Sequence, residues 1–385
     1  MNAWRCCATH ACPNWTDPRQ VKHPELYIGI MSGTSLDGID TALVDFSGAQ
    51  PRLVATHFED YPPALKDELL ALHHPAPNEL HQAQITANRL ARDYASATLA
   101  LLKSANIPTE KIRAIGCHGQ TIRHRPEAGY TIQLGNSALL AELTNIDVVG
   151  DFRSRDIAAQ GQGAPLVPAF HDRVLRHTTI HRVIVNIGGI SNLTNLAPGT
   201  PTIGFDCGPG NLLMDAWISL HQGCAYDKDG AWAASGKVLS SLLQGLLREP
   251  FFASPPPKSS GRDLFNLRWL KQHLQGNEAP EDVQATLLAM TAHGIADSIQ
   301  RYCQGTQEIY LCGGGAHNQA LVRSLSTALP QCRIQPTDVL GIGANWLEAI
   351  AFAWLAQQTI HGKSANLPEA TGATHPCILG AIYQA

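Results

Sequence analysis

YIGIMSGTSLDGIDTALVDF (Tyr27–Phe46) sets a polar, glycine-bearing centre between two apolar alternating runs. Alternation on both sides of a short Asp-Gly-containing segment reads as a β-hairpin. It predicts a strand over 26–30, a loop over 31–38, a returning strand over 39–46 and a third strand near 53–58. Glycine lets the backbone turn and approach an anion closely, so Gly33, Thr34 and Ser35 can offer N–H and hydroxyl donors to phosphate oxygens. Asp37 or Asp40 can hold a hydrated Mg²⁺ beside them, because Mg²⁺ keeps several waters and takes few carboxylates. A plain turn is the competing reading, since Asp-Gly is a strong hairpin signal in its own right.

A second stretch, RVIVNIGGISNLTNLAP (182–198), repeats the design: strand, Gly188-Gly189 loop with Ser191 and Asn192, returning strand. Two such loops in two α/β halves can clamp a polyphosphate between them. IYLCGGGAHN (309–318) runs a strand into Gly313, Gly314 and Gly315, which leave room for a flat ring, and Asn318 can cap the next helix or bond a nucleotide. Tight hairpins imply mixed sheets, unlike an all-parallel dinucleotide fold. Between these elements, helices are expected over 63–72 and 79–104, after the N-cap Asn136, over 281–303 and from 318. In the 281–303 helix, Val283, Leu287, Met290, Ile295 and Ile299 share one face. SPPPKSSGRDLF (254–265) reads as an exposed loop.

Composition narrows the classes. The 385 residues are 44% apolar and 16% charged with a net charge of −4, which suits a globular protein and gives no basic footprint for nucleic acid. No apolar run is long enough for a membrane span, and the N-terminal segment lacks the apolar core of a secretory signal, so the expected location is the cytoplasm. Scattered cysteines fit reduced thiols. Cys6, Cys7, His10 and Cys12 are candidate metal ligands, but no second pair follows as a zinc site requires. Walker, Gly-x-Gly-x-x-Gly, His-Glu-x-x-His and Gly-x-Ser-x-Gly signatures are all missing.

Together MSGTSLDGID, CHGQTIRH, DFRSRDIAAQGQGAPLVP, NIGGISNLT, FDCGPGN and CGGGAHN resemble the anhydro-N-acetylmuramic acid kinases, within the sugar-kinase, heat-shock-chaperone and actin superfamily. The likeness runs from Tyr27 to the end of the sequence. It implies two actin-like (ribonuclease H-like) α/β lobes with a nucleotide cleft between them. The expected divisions are 1–26 as a disordered extension, 27–150 as the first lobe, completed by 366–385, and 151–365 as the second. The implied reaction uses ATP, with Mg²⁺, and water to convert 1,6-anhydro-N-acetylmuramic acid into N-acetylmuramic acid 6-phosphate. The partners are then ATP and a sugar, with a homodimer left open.

The resemblance also assigns roles. ATP falls to Gly33, Thr34, Ser35, Leu36, Asp37, Gly38, Ile39 and Asp40, to Gly188, Gly189, Ser191 and Asn192, to Gly208, Gly210 and Asn211, and to Gly313, Gly314, Gly315 and Asn318. Asp206, at a strand end before Gly-Pro-Gly, is the expected general base, against the alternative that it caps the following helix. Arg153 and Arg155 can grip the lactyl carboxylate, pointing the same way if their segment is extended. Ser32, His118, Gln120 and Thr121 are expected sugar contacts. Glu348 lies in ANWLEAIAFAWLA, apolar nearly all round, so its carboxylate needs a partner: a sugar hydroxyl or a buried arginine. Other sugar or acetate kinases of the superfamily, or a non-enzymatic actin- or chaperone-like ATPase, are the alternatives.

Overall fold

The computed structural model describes residues 24–33, 36–262 and 264–385. The four candidate metal ligands of the N-terminal segment lie outside these residues, as do Thr34 and Ser35. Strand β1 (Leu26–Met31) is buried at every position and β2 (Gly38–Asp45) nearly so, which places this hairpin in the middle of a sheet. β3 (Arg52–Asp60) completes an antiparallel meander. β4 (Ile112–Cys117) and β7 (Val148–Gly150) then join parallel to β1. Between them β5 (Gln120–Arg125) and β6 (Tyr130–Leu134) form a separate hairpin.

The pattern then repeats. β8 (Arg182–Ile187), β9 (Ile190–Leu196) and β10 (Ile203–Pro209) make a second antiparallel meander. β11 (Glu308–Cys312) and β12 (Arg333–Pro336) add parallel to β8. The second sheet runs β10-β9-β8-β11-β12. The first runs β3-β2-β1-β4-β7 and gains β13 (Ala381–Tyr383), antiparallel on β7. Order and direction match strand for strand, which is the duplicated, mixed-sheet arrangement expected of actin-like lobes.

Helices cover the faces where the apolar periodicity directs them. Glu79–Ala105 lays Leu90, Tyr94 and Leu101 over the first sheet. Asn136 caps its helix as expected, accepting from the Leu139 amide at 3.0 Å. Pro280–Tyr302 buries the expected face, and also Thr286, Thr291 and Ser298, because further helices cover its outer side. One apolar core joins Tyr27, Val44 and Val149 of the first sheet to Phe352 and on to Val185 and Ile295 of the second lobe.

Two boundaries differ from expectation. The Leu347–Ile360 helix falls within the stretch assigned to the second lobe, yet it packs along β1 and β4 of the first sheet. Gly29 and Gly116 permit that approach: a Cβ at either would strike the helix backbone at Ala349 or Phe352. At the other end, Leu26 is already in β1, and the Glu25 carbonyl accepts from Phe46 at 2.9 Å, so the first sheet begins inside the expected extension.

Candidate active site

The β1–β2 loop is held from behind by hydroxyl groups. Ser32 is buried and its Oγ lies 2.8 Å from the Tyr94 hydroxyl, while also donating to Gly119 O at 3.2 Å. Tyr61 bridges Tyr94 and Gln120, each at 3.4 Å, and Gln120 Nε2 donates to Gly33 O at 3.1 Å. Ser32 and Gln120, expected on the sugar, are therefore engaged in shaping the loop. Thr121 accepts from Gln133 across the β5–β6 hairpin at 3.1 Å. Leu36 and Ile39 point into the core, leaving only their backbone for a ligand. Gly38 has its own explanation, since a Cβ there would collide with the Glu59 carbonyl of β3.

Beyond this loop the carboxylates converge. Burial first, and then the neighbouring Asp37 and Glu348 charges, push Asp40 up to about 7. Burial, followed by Asp37, likewise raises Asp215 to about 7, with Arg262 opposing. Glu348 is raised by burial and eased by Arg153 and by Asn186, whose Nδ2 donates to Glu348 Oε1 at 3.2 Å. Within the protein Glu348 thus meets an amide, with an arginine charge nearby. Sequence reasoning missed Asp215, Arg262 and Asn186. Only the position of Asp215, in the first turn after Gly-Pro-Gly-Asn, offered a signal.

The second hairpin is built from backbone. Gly188 O accepts from the Asn211 amide at 2.8 Å, and Gly189 O accepts from Gly210 and Leu212 at 2.9 and 3.1 Å. The turn is thereby fused to the start of the Leu212–Gln222 helix. Ser191 is spent on Gly208 O at 3.0 Å, and Asn192 sits opposite Asp206 across the β9–β10 ladder. Gly208 forms a bulge against Phe252. Of the three successive glycines, Gly313 and Gly315 are explained by packing on Asn186 and Ile187. Gly314 is exposed and faces Asn211 Nδ2, which would lie 3.8 Å from an added Cβ. Asn318 caps the Gln319–Ala328 helix, accepting from Leu321 at 3.0 Å.

Asp206 is half-buried in the middle of β10, which runs on through Cys207, Gly208 and Pro209 instead of ending at the aspartate as expected. It does not cap the following helix. Its Oδ2 accepts from the Ser260 amide at 2.8 Å, and its own amide donates to Lys258 O at 3.1 Å. Burial pushes its carboxyl up to about 7, with the Ser260 bond and the Lys258 charge pulling the other way. The 254–265 segment is a surface loop as expected, with Pro255, Pro257 and Ser259 exposed, yet at Lys258 and Ser260 its backbone turns onto the candidate base.

The arginine pair separates. Ser154–Ala158 is helical, so Arg153 and Arg155 diverge instead of pointing together. Arg155 is exposed. Arg153 donates to Gly163 O at 2.7 Å and reaches His118 Nε2 at 2.9 Å. An arginine donating to Nε2 requires neutral His118, and burial followed by the Arg153 charge holds His118 well below the usual histidine range. Asp156, unremarked in the sequence, is fully buried and accepts from Gly163, Asn366 and Thr371 at 2.7–2.8 Å.

These features fit a nucleotide. Gly188 and Gly314 stay open around Asn211, and Asn186 Oδ1 is buried without a partner among the described residues. Among those residues no three His, Cys, Asp or Glu side chains are grouped to ligate a metal directly. No helix among them is long and apolar enough to cross a membrane.

A family model described as anhydro-N-acetylmuramic acid kinase matches residues 25–385. A curated relative of that name from Thiobacillus denitrificans is 58% identical over 365 residues, covering 94% of this chain and 98% of its own length. Another of the same name, from Nitrosospira multiformis, is 58% identical over 361 residues, covering 93% and 99%. A solved structure, the activator of 2-hydroxyisocaproyl-CoA dehydratase from Clostridium difficile with bound ADPNP, is 12% identical at a TM-score of 0.45. It covers 85% of this chain and 92% of that one, a likeness too distant to bear on function.

Proposed function

The chain belongs to the anhydro-N-acetylmuramic acid kinase family, and from that premise we propose that it opens and phosphorylates 1,6-anhydro-N-acetylmuramic acid with ATP and water. The products are N-acetylmuramic acid 6-phosphate and ADP, and the setting is cytoplasmic recycling of cell-wall peptidoglycan. The anhydro sugar has no free 6-hydroxyl, so phosphorylation requires ring opening. Water oxygen bonds to the anomeric carbon as the C1–O6 bond breaks. O6 takes the γ-phosphoryl group, and ADP leaves with the electron pair of the broken P–O bond. The water proton goes to Asp206.

The observation that carries this reading is Asp206, a half-buried carboxyl within β10 held by the Ser260 amide, with its titration pushed up to about 7. A general base works best when its pKa lies near the operating pH. The Gly33–Asp40 loop and the Gly188–Gly189 turn, with Gly208, Gly210 and Asn211, take the phosphates, and the Gly313–Gly315 turn with Asn318 takes adenosine. Mg²⁺, held through water by Asp37 or Asp40, supplies positive charge to the phosphate oxygens. Arg153, from its place on His118, serves the lactyl carboxylate, while Arg155 diverges to the surface.

Asp206→Asn keeps the side-chain shape and removes its basicity. Turnover should fall about 10²–10⁴-fold while ATP still binds. In ¹⁸O water the label should enter the anomeric position of the sugar product. Label in the phosphate, or an active Asp206→Asn enzyme, overturns the assignment.

A further inference from the structure

The segment Pro256–Arg262 remains unexplained by the reaction as described. Its path is unusual for a loop: Lys258 O and the Ser260 amide both bond Asp206, clamping that residue from main chain and side chain. Lys258 itself is fixed, donating to Phe251 O at 3.1 Å with its ammonium 4.7 Å from the Phe251 ring centre. The Ser260 hydroxyl is buried and has no hydrogen-bond partner among the described residues. Buried hydroxyls are almost always satisfied, so one left open beside a candidate base calls for a partner that arrives with the reaction.

We propose that Ser260 is the second anchor of the attacking water: its amide positions Asp206, and its hydroxyl binds the water that Asp206 deprotonates. The inference rests on Asp206 being the base. Water has two protons. If one faces the Asp206 carboxylate and the other the Ser260 oxygen, a lone pair is left to face the anomeric carbon. With Oδ2 held by the Ser260 amide, Oδ1 is the oxygen that receives the proton. The charged or titratable neighbours of Asp206 are Lys258 and Cys207, and both stay in place in the variants below.

Two substitutions separate the two roles. Ser260→Ala keeps the amide and removes the hydroxyl. It should lower kcat about tenfold, leave the Michaelis constant for ATP within about twofold and leave the acid limb of the pH–rate profile in place. Ser260→Thr restores a hydroxyl and should recover most of the rate. Ser260→Pro removes the amide donor and should move the acid limb upward by about one pH unit, since a hydrogen bond to the charged form is lost. Wild-type kcat in Ser260→Ala overturns the water anchor, whatever happens to the proline variant. An unmoved acid limb in a folded Ser260→Pro enzyme overturns the positioning role. If Asp206→Asn stays active, the base assignment fails first; if it is dead while every Ser260 variant behaves as wild type, only the Ser260 proposal falls.

Discussion

The β1–β2 and β8–β9 hairpins occupy the same place in two sheets of the same order, yet they are built from different materials. The first carries a longer loop, braced by the Ser32, Tyr94, Tyr61 and Gln120 side chains, and delivers charge through Asp37 and Asp40. The second is a Gly-Gly turn whose carbonyls are fused to the Leu212–Gln222 helix, delivering backbone. A duplicated topology thus supplies two turns at equivalent places; in the proposed function both face phosphate, one managing cation and charge, the other shape.

The largest effect should come from breaking the backbone-built turn. Gly210→Val drives a side chain into the Gly188 carbonyl, where neither partner can yield. Overpacking of this kind costs about 1–3 kcal/mol of stability, and calorimetric titration should show ATP affinity reduced well beyond the effect of any side-chain change in the first loop. Undiminished ATP binding would mean that the second turn is not a phosphate site.

An intermediate effect tests the charge-built loop. Asp40 and Asp215 are raised from an ordinary 3.8 to about 7, so across that window the unfolded chain has released protons that the folded protein still holds. Stability of the ligand-free protein should therefore fall as pH rises from about 4 to about 7. Asp37→Asn removes a charge that raises both groups, so it should flatten this decline in thermal melts. The same variant should need about tenfold more Mg²⁺ for half-maximal turnover, in line with losing one charged hydrogen bond. An unchanged Mg²⁺ requirement would shift the metal role to Asp40.

The smallest effect belongs to the bracing. Tyr94→Phe removes the hydroxyl joining Ser32 to Tyr61 and should cost about 1 kcal/mol, with kcat changed less than threefold. A collapse of turnover would show that the brace itself takes part in chemistry.

The hairpins were legible because alternation and turn residues are local signals, whereas the strand expected to end at Asp206 runs on to Pro209, since Gly208 and Pro209 stay paired with β9. What escaped depends on the chain returning from far away. Ser260 reaches Asp206 across 54 positions and Asn186 reaches Glu348 across 162, and no periodicity announces either. The shared direction of Arg153 and Arg155, expected for an extended segment, fails because that segment is a helical turn, where alternate residues diverge. The Leu347–Ile360 helix was legible as a buried helix, but its docking on the first sheet had only a faint signal in the glycines of β1 and β4, which make sense once something presses against both.

That helix has a consequence for how the protein is made. The first sheet opens near residue 26, but its covering helix ends at residue 360 and its edge strand β13 spans 381–383. A chain leaving the ribosome exposes β1 and β4 long before their cover exists, whereas most of the second sheet's partners emerge in succession. Contacts this distant in sequence form slowly, and exposed strands invite association while they wait. The half of the molecule synthesised first is the half completed last.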